Sequence, residues 1–217
     1  MIPFAYSFRN LFRRPLQSVQ LVGGSSMVIL LIMIAASINQ AMEYTLRNSG
    51  EPRNAILLGA GSEESIERSE VSRIVPDVAE ASIVNIRKVL GRPAVSPEVH
   101  YNGLVFLEDQ KSSQALLRGV RYQSLWVHPK LRITEGRFPR AGEVMVGRLA
   151  HKKLGVTEDL LQVGSSISFN EEKLVVSGLF DAPGTVMEAE IWLPLNDLMA
   201  YTQRSTYSCV VVGLQNA

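Results

Sequence analysis

The chain has 217 residues, 46% hydrophobic, 20% charged and 7% aromatic, with 22 basic against 21 acidic side chains and a net charge of +1. That balance excludes an intrinsically disordered chain, which carries more charge and less apolar surface, and it offers no basic footprint for nucleic acid. The single cysteine, Cys209, excludes an internal disulfide framework and a zinc site built on cysteines.

The N-terminal arm, residues 1–18, interleaves Phe4, Tyr6, Phe8, Leu11 and Phe12 with Arg9, Arg13 and Arg14 and holds no acid. Phe4, Phe8, Leu11 and Phe12 fall at helical spacing. One reading is an amphipathic helix lying in the cytoplasmic interface with the three arginines as its anchor. The other is an aromatic belt and positive flank of the kind any membrane anchor carries.

After Arg14 no charge occurs until Glu43, leaving 28 uncharged positions, 15–42. About 20 apolar residues cross a hydrocarbon core, and the backbone there must be helical to satisfy its own hydrogen bonds. A transmembrane helix is therefore expected over 19–42. The competing readings are a buried core helix and a cleaved signal peptide. Gly23, Gly24, Ser25 and Ser26 are small enough to let another helix approach, so they are candidate helix-packing residues. The arginines before the span put the N-terminus in the cytoplasm and residues 44–217 outside, in the periplasm of a two-membrane cell. Those three arginines aside, the chain keeps 19 basic and 21 acidic side chains, an ordinary outer domain.

The outer segment reads as α+β. A strand is expected at 54–58, and a helix from Ser62, its cap, to about Val75, ending before Pro76. Strands follow at 82–90 and 99–107, separated by turn signals at Gly91, Pro93 and Pro97. Another strand spans 115–120, and a short helix 122–127. Strands at 131–134 and 143–146 precede one or two helical turns at 148–154, closed by Gly155. A hairpin is expected over 166–180 around Asn170–Glu172, then a strand at 188–193, a helix at 195–201 and a strand at 207–214. Residues 76–115 are a candidate inserted subdomain.

Catalytic signatures are missing. There is no GxxxxGK[ST] phosphate loop. Gly59-Ala60-Gly61 starts a dinucleotide pattern that fails at Glu64, so it reads as a plain connection. His100, His128 and His151 stand 28 and 23 residues apart, matching no metal-ligand spacing; they read as structural or solvated. Gly164-Ser165-Ser166-Ile167-Ser168 lacks the final glycine of a nucleophile elbow, so Ser166 reads as the start of a strand. Asp181 and Glu188 flank a turn at Gly184 and read as a solvated carboxylate pair, and Trp126 and Trp192 as core aromatics. No catalytic, cofactor-binding or metal-binding residue is assigned, and the chain is read as a non-enzyme.

A resemblance rests on an ordered set of motifs. Residues 6–14, YSFRNLFRR, run straight into the apolar span. Gly119-Val120-Arg121 is followed by Glu135-Gly136-Arg137, by Gly142-Glu143-Val144-Met145-Val146-Gly147-Arg148, and by Val176-Ser177-Gly178-Leu179-Phe180-Asp181. The block Glu188-Ala189-Glu190-Ile191-Trp192 comes next. This order resembles ABC-transporter permeases of the MacB/FtsX class, whose extracytoplasmic part is a MacB-like periplasmic core domain.

The resemblance implies a non-catalytic permease subunit of the inner membrane that couples ATP-driven motion to an outer domain, for export or mechanotransmission. It implies no cofactor in this chain, because ATP binds a separate cytoplasmic ATPase subunit. The partners it implies are that ATPase, further spans or a second permease copy, the bilayer, and a periplasmic adaptor as a further candidate. About three further spans are expected in the family. No second hydrophobic segment of that length follows residue 43, so the chain reads as a fragment, a truncated gene or one piece of a split permease. The alternative is a stand-alone, single-span adaptor or binding protein. The Gly136-Arg137 and Gly147-Arg148 turns read as structural.

Overall fold

The computed structural model describes residues 15–107 and 112–215. The aromatic arm and its anchor residues Arg9, Arg13 and Arg14 lie outside the described residues. The chain divides into two compact units, residues 1–47 and 48–217.

The first unit contributes most of one continuous helix, α1 (Pro15–Ser49). Its 35 residues rise about 50 Å at 1.5 Å each, more than a hydrocarbon core requires. None of its most apolar stretch is buried, unlike the core helix of a soluble domain. Helix α1 is long and apolar enough to cross a membrane by length and composition. Gly23, Gly24, Ser25 and Ser26 are exposed within it. Ser25 Oγ donates to Leu21 O at 2.8 Å, so its hydroxyl is satisfied inside the helix.

The second unit is an α+β domain with eleven strands among its described residues: β1 (Asn54–Leu57), β2 (Lys88–Val89), β3 (Arg92–Pro93), β4 (Val95–Leu107), β5 (Ser112–Val120), β6 (Arg132–Gly136), β7 (Glu143–Gly147), β8 (Ser166–Phe169), β9 (Glu172–Asp181), β10 (Ile191–Pro194) and β11 (Cys209–Gly213). Between them lie helices α2 (Val75–Ser82), α3 (Ser124–Val127), α4 (Ala150–Leu154) and α5 (Leu195–Tyr201). Nine strands make one sheet in the order β1-β11-β4-β5-β10-β7-β9-β6, with β8 bridging β4 and β9.

That bridge closes the pairing on itself. β4, β5, β10, β7, β9 and β8 form a ring of hydrogen-bonded neighbours, parallel at β5/β10 and β7/β9 and antiparallel elsewhere. The period-2 alternation of strands then sorts side chains inside and out. Val144, Val146, Ile191 and Leu193 join Leu117, Val105, Phe169 and Leu174 in the largest core cluster. Their neighbours Met145 and Trp192 join Val120, Phe180 and Met187 in a second cluster on the opposite face. Both clusters are closed to solvent, so the strands read as nearly unbroken apolar runs.

Several elements match the sequence expectation closely. Asn170 (φ 47°) and Glu171 (φ 70°) make the two-residue turn of the β8–β9 hairpin, both in the left-handed region that such turns require. Gly155, at φ 69°, caps α4 by donating to the carbonyls of His151 and Lys152.

Others differ. The helix expected over 62–75 is replaced by turns and one short 3-10 turn, Ile66–Arg68. Outside partners hold its backbone: Gly59 N donates to Ser69 Oγ at 2.9 Å, and Arg204 reaches Glu67 O and Ser69 O. Pro76 opens α2 instead of ending a helix, since a first-turn proline sacrifices no helical hydrogen bond. The strand expected over 82–90 shrinks to Lys88–Val89, because α2 runs to Ser82 and Asn85 takes φ 72°. Pro97 lies within β4, not in a turn. It pairs with Val210 of β11, while pairing with β5 begins only at Val99, so one edge is unladdered there and tolerates proline. Glu188 sits in a 3-10 turn, Val186–Ala189, and β10 starts at Ile191. Residues 76–115 contain nearly all of α2 and supply the whole of β4 and the start of β5 to the shared sheet.

A buried ionic cluster as the candidate functional site

Strand register assembles the site. In antiparallel and parallel ladders alike, directly opposed residues present their side chains to the same face. His100 of β4 is opposite Arg118 of β5, and Arg118 is opposite Trp192 of β10. Glu98, two residues before His100, shares that face and stands opposite Cys209 of β11. The intervening Val99 and Leu117 point into the ring core. One face of three neighbouring strands thus gathers a carboxylate, an imidazole, a guanidinium and a thiol.

All of them are buried: Glu98 is 0% exposed, Glu190 1%, Arg118 6%, His100 7% and Cys209 2%. Arg118 organises the cluster. Its Nε and Nη2 donate to the two oxygens of Glu190 at 2.7 Å each, and its Nη1 donates to Glu98 Oε2 at 2.8 Å. Glu190 Oε2 also accepts from Trp192 Nε1 at 2.8 Å, and the guanidinium carbon lies 5.3 Å from the centre of the Trp192 ring. Glu98 Oε1 accepts from Ser96 Oγ at 3.1 Å and meets His128 Nε2 at 2.8 Å. His100 Nε2 lies 3.7 Å from Glu98 Oε2 and 3.9 Å from Cys209 Sγ.

Burial would raise both carboxyl pKa values. At Glu98 it is outweighed by His128, His100 and Arg118, and at Glu190 by Arg118, so both are held below the usual carboxylate range. Burial and the nearby Arg118 push the His100 pKa down, favouring the neutral ring. Burial, reinforced by Glu98, pushes the Cys209 thiol up. A protonated thiol beside a neutral imidazole is a poor nucleophile.

The shifts at Glu98, Glu190 and His100 share one sign: the unfolded chain binds protons at a pH where the folded chain does not, so stability falls as pH falls. The raised Cys209 thiol has the opposite sign and acts only at alkaline pH. The loss should begin near pH 6.5, where unfolded His100 titrates, and deepen below about 4.5, where the carboxyls follow. Melting temperature measured from pH 8 to pH 4 should decline in those two stages, and His100→Gln should remove the first. A flat profile over that range would contradict the assignment.

The cluster floors a cavity of about 430 Å³ walled by Ile56, Ile66, Val127, Val186, Met187 and Val211. Asn54, also on its wall, donates to Val127 O at 2.6 Å, while its Oδ1 is buried without a protein partner. Apolar walls over a few convergent polar groups are the common form of a ligand pocket.

Spacings of 28 and 23 residues give the three histidines no common role in the sequence. The structure brings His100 and His128 to one carboxylate, Glu98; His151 stands elsewhere, half-buried, with Nδ1 2.9 Å from Arg148 O. Asp181 and Glu188, read as a solvated pair, are instead bridged by Arg148 at 3.0 and 3.1 Å, and Glu188 is only 4% exposed. Trp192 is fully buried, and Trp126 packs half-buried on a third cluster with Val127, Cys209 and Val211. Ser166 begins β8.

The motif residues are stitched to one another. Arg137 forms a two-pronged ion pair with Glu143 at 2.6 Å for both contacts. Gly136 faces Gly178 across β6 and β9. Beside them β9 carries an extra residue, Ser177, whose hydroxyl donates to Val144 O at 3.1 Å. Gly147 leaves room for the carbonyl of Glu188, which an added Cβ would meet at 2.4 Å.

One long apolar helix thus precedes an α+β domain whose central strands pair in a closed ring. The family model for the MacB-like periplasmic core domain matches residues 21–217, and the chain belongs to that family. Solved structures agree in fold. The periplasmic region of MacB from Actinobacillus actinomycetemcomitans aligns with TM-score 0.57 and 18% identity, over 78% of this chain and 77% of that one. The extracellular domain of the noncanonic ABC-type transporter YknZ from Gram-positive bacteria aligns with TM-score 0.55 and 15% identity, over 75% and 83% of the two chains. No curated protein matches the sequence.

Proposed function

We propose that this chain is the N-terminal part of a non-catalytic ABC-transporter permease, anchored by α1 in the cytoplasmic membrane with residues 44–217 outside. The observation that carries the reading is the union of a MacB-like periplasmic core domain with a helix long and apolar enough to cross a membrane. A helix of that kind needs lipid or other helices around it. The arginines at 9, 13 and 14 favour a cytoplasmic N-terminus. A cytoplasmic ATPase would then supply ATP binding, further spans in cis or in trans would complete the membrane part, and the outer domain would carry the motion to an exported substrate or a periplasmic adaptor.

The band Gly23–Ser26 is the proposed seat of a neighbouring helix. Beta carbons added at Gly23 and Gly24 meet nothing within 4 Å, so Gly24→Leu should leave the fold of this chain intact. The substitution should reduce, several-fold, the ATP-binding-cassette ATPase that co-purifies with the chain from solubilised membranes. Absence of any such ATPase with the unsubstituted chain would favour a single-span adaptor instead. Unchanged recovery with Gly24→Leu would move the helix contact elsewhere on α1.

A further inference from the structure

Three different metal-binding groups converge beneath the cavity. Glu98, His100 and Cys209 offer a carboxylate oxygen, a ring nitrogen and a sulfur, all within 4.8 Å of one another and all buried. We propose that these three side chains form a divalent-cation site of the zinc class, open to the 430 Å³ cavity for a fourth ligand. The proposal does not depend on the permease reading.

Geometry is the first argument. A tetrahedral ion with bonds of about 2.0–2.3 Å holds its ligand atoms roughly 3.5 Å apart. Two edges of this triangle measure 3.7 Å, from His100 Nε2 to Glu98 Oε2, and 3.9 Å, from His100 Nε2 to Cys209 Sγ. Both are longer than a good hydrogen bond, and both close to tetrahedral edges with shifts of a few tenths of an ångström. Register makes the arrangement rigid: Glu98 and His100 are alternate residues on one strand, and Cys209 faces Glu98 from the next.

Charge is the second argument. With His128 and His100 neutral, Glu98, Glu190 and Arg118 leave one buried negative charge, an expensive remainder at low dielectric. A divalent cation with the Cys209 thiolate adds one positive charge and brings the set to neutrality. Binding follows Cys–SH + M²⁺ → Cys–S⁻–M²⁺ + H⁺, with the proton leaving to solvent, so affinity rises with pH.

Outer support is already in place. A carboxylate offers about four lone-pair positions. Arg118, Ser96 and His128 occupy others on Glu98, and such bonds to a ligating carboxylate are the ordinary second layer of a metal centre. Arg118 is the natural objection, as a cation beside a cation. Its charge is committed first to Glu190, through the two 2.7 Å bonds.

The test uses the full chain in detergent micelles, stripped with chelator and titrated with Co²⁺. One ion should bind per chain, with thiolate-to-cobalt charge-transfer absorption that Zn²⁺ abolishes. Because Cys209 is the only cysteine, the band assigns the sulfur without any substitution. His100→Gln and Cys209→Ser should each weaken binding by about 10-fold or more, and Cys209→Ser should remove the band. A cooperatively melting chain that takes up no stoichiometric Co²⁺, or takes it up without the thiolate band, overturns the proposal. So does unchanged affinity in His100→Gln.

Discussion

Replacing Arg118 with methionine should destabilise the outer domain by about 3–5 kcal/mol, because it strands two buried carboxylates without a counter-charge. Glu98 and Glu190 are 0% and 1% exposed, and each would have to bind a proton or remain a bare charge in the core. The lost contact with the Trp192 ring adds only about 0.5–2 kcal/mol, so charge isolation dominates. Urea unfolding followed by tryptophan fluorescence should show the loss as a lower midpoint at unchanged slope. The triple substitution Glu98→Gln, Arg118→Met, Glu190→Gln should recover a large part of it, since neutralising a whole buried network often costs little. If Arg118→Met alone shifts the midpoint by less than the equivalent of about 1 kcal/mol, the cluster does not have the closed ionic character described above.

The second large effect is expected at Gly136. Its φ of 70° lies in the left-handed region, and an added Cβ would stand 2.2 Å from Ser177 O and 2.8 Å from the Cα of Gly178. Both obstacles are backbone and cannot rotate away. Gly136→Ala should therefore cost about 2–5 kcal/mol, combining left-handed strain with a forced backbone shift. Gly142 supplies the control. Its φ is 74°, yet a Cβ there meets nothing within 4 Å, so Gly142→Ala should cost only about 1–2 kcal/mol. Equal losses in the two variants would show that strain, not the approach of β6 to β9, governs the turn.

The sequence was informative where local rules decide the outcome. The apolar run of α1, the Asn170-Glu171 turn, the Gly155 cap and helix α5 all declare themselves within a few residues. It was misleading where distant backbone decides. The segment around Ser62–Ile74 carries a credible cap and early acids, yet Ser69, Arg204 and Tyr207 hold it in turns. Pro97 reads as a breaker in a linear scan and is harmless at an unladdered edge.

The ionic cluster was the least legible feature. Its members sit 20, 72 and 109 residues apart, and only strand register brings them together. One signal was available. Glu98 and His100, and likewise Glu190 and Trp192, are spaced by two within β-like runs, so each pair had to share a face. Polar residues alternating with valine, isoleucine or leucine on a strand buried from both sides need partners on that face.

The first strand of the outer domain lies against the last. Asn54 is paired with Gly213, and Leu214 N donates to Arg53 O at 2.7 Å. The polypeptide thus comes into the sheet and leaves it at one point. Pulling these two ends apart would open the β1–β11 ladder one rung after another, a weak response, because the rungs would fail in series. Carrying both ends along together loads no rung at all. Load applied to both ends together therefore leaves the β1–β11 ladder unstrained, whereas load between them falls on it one rung at a time.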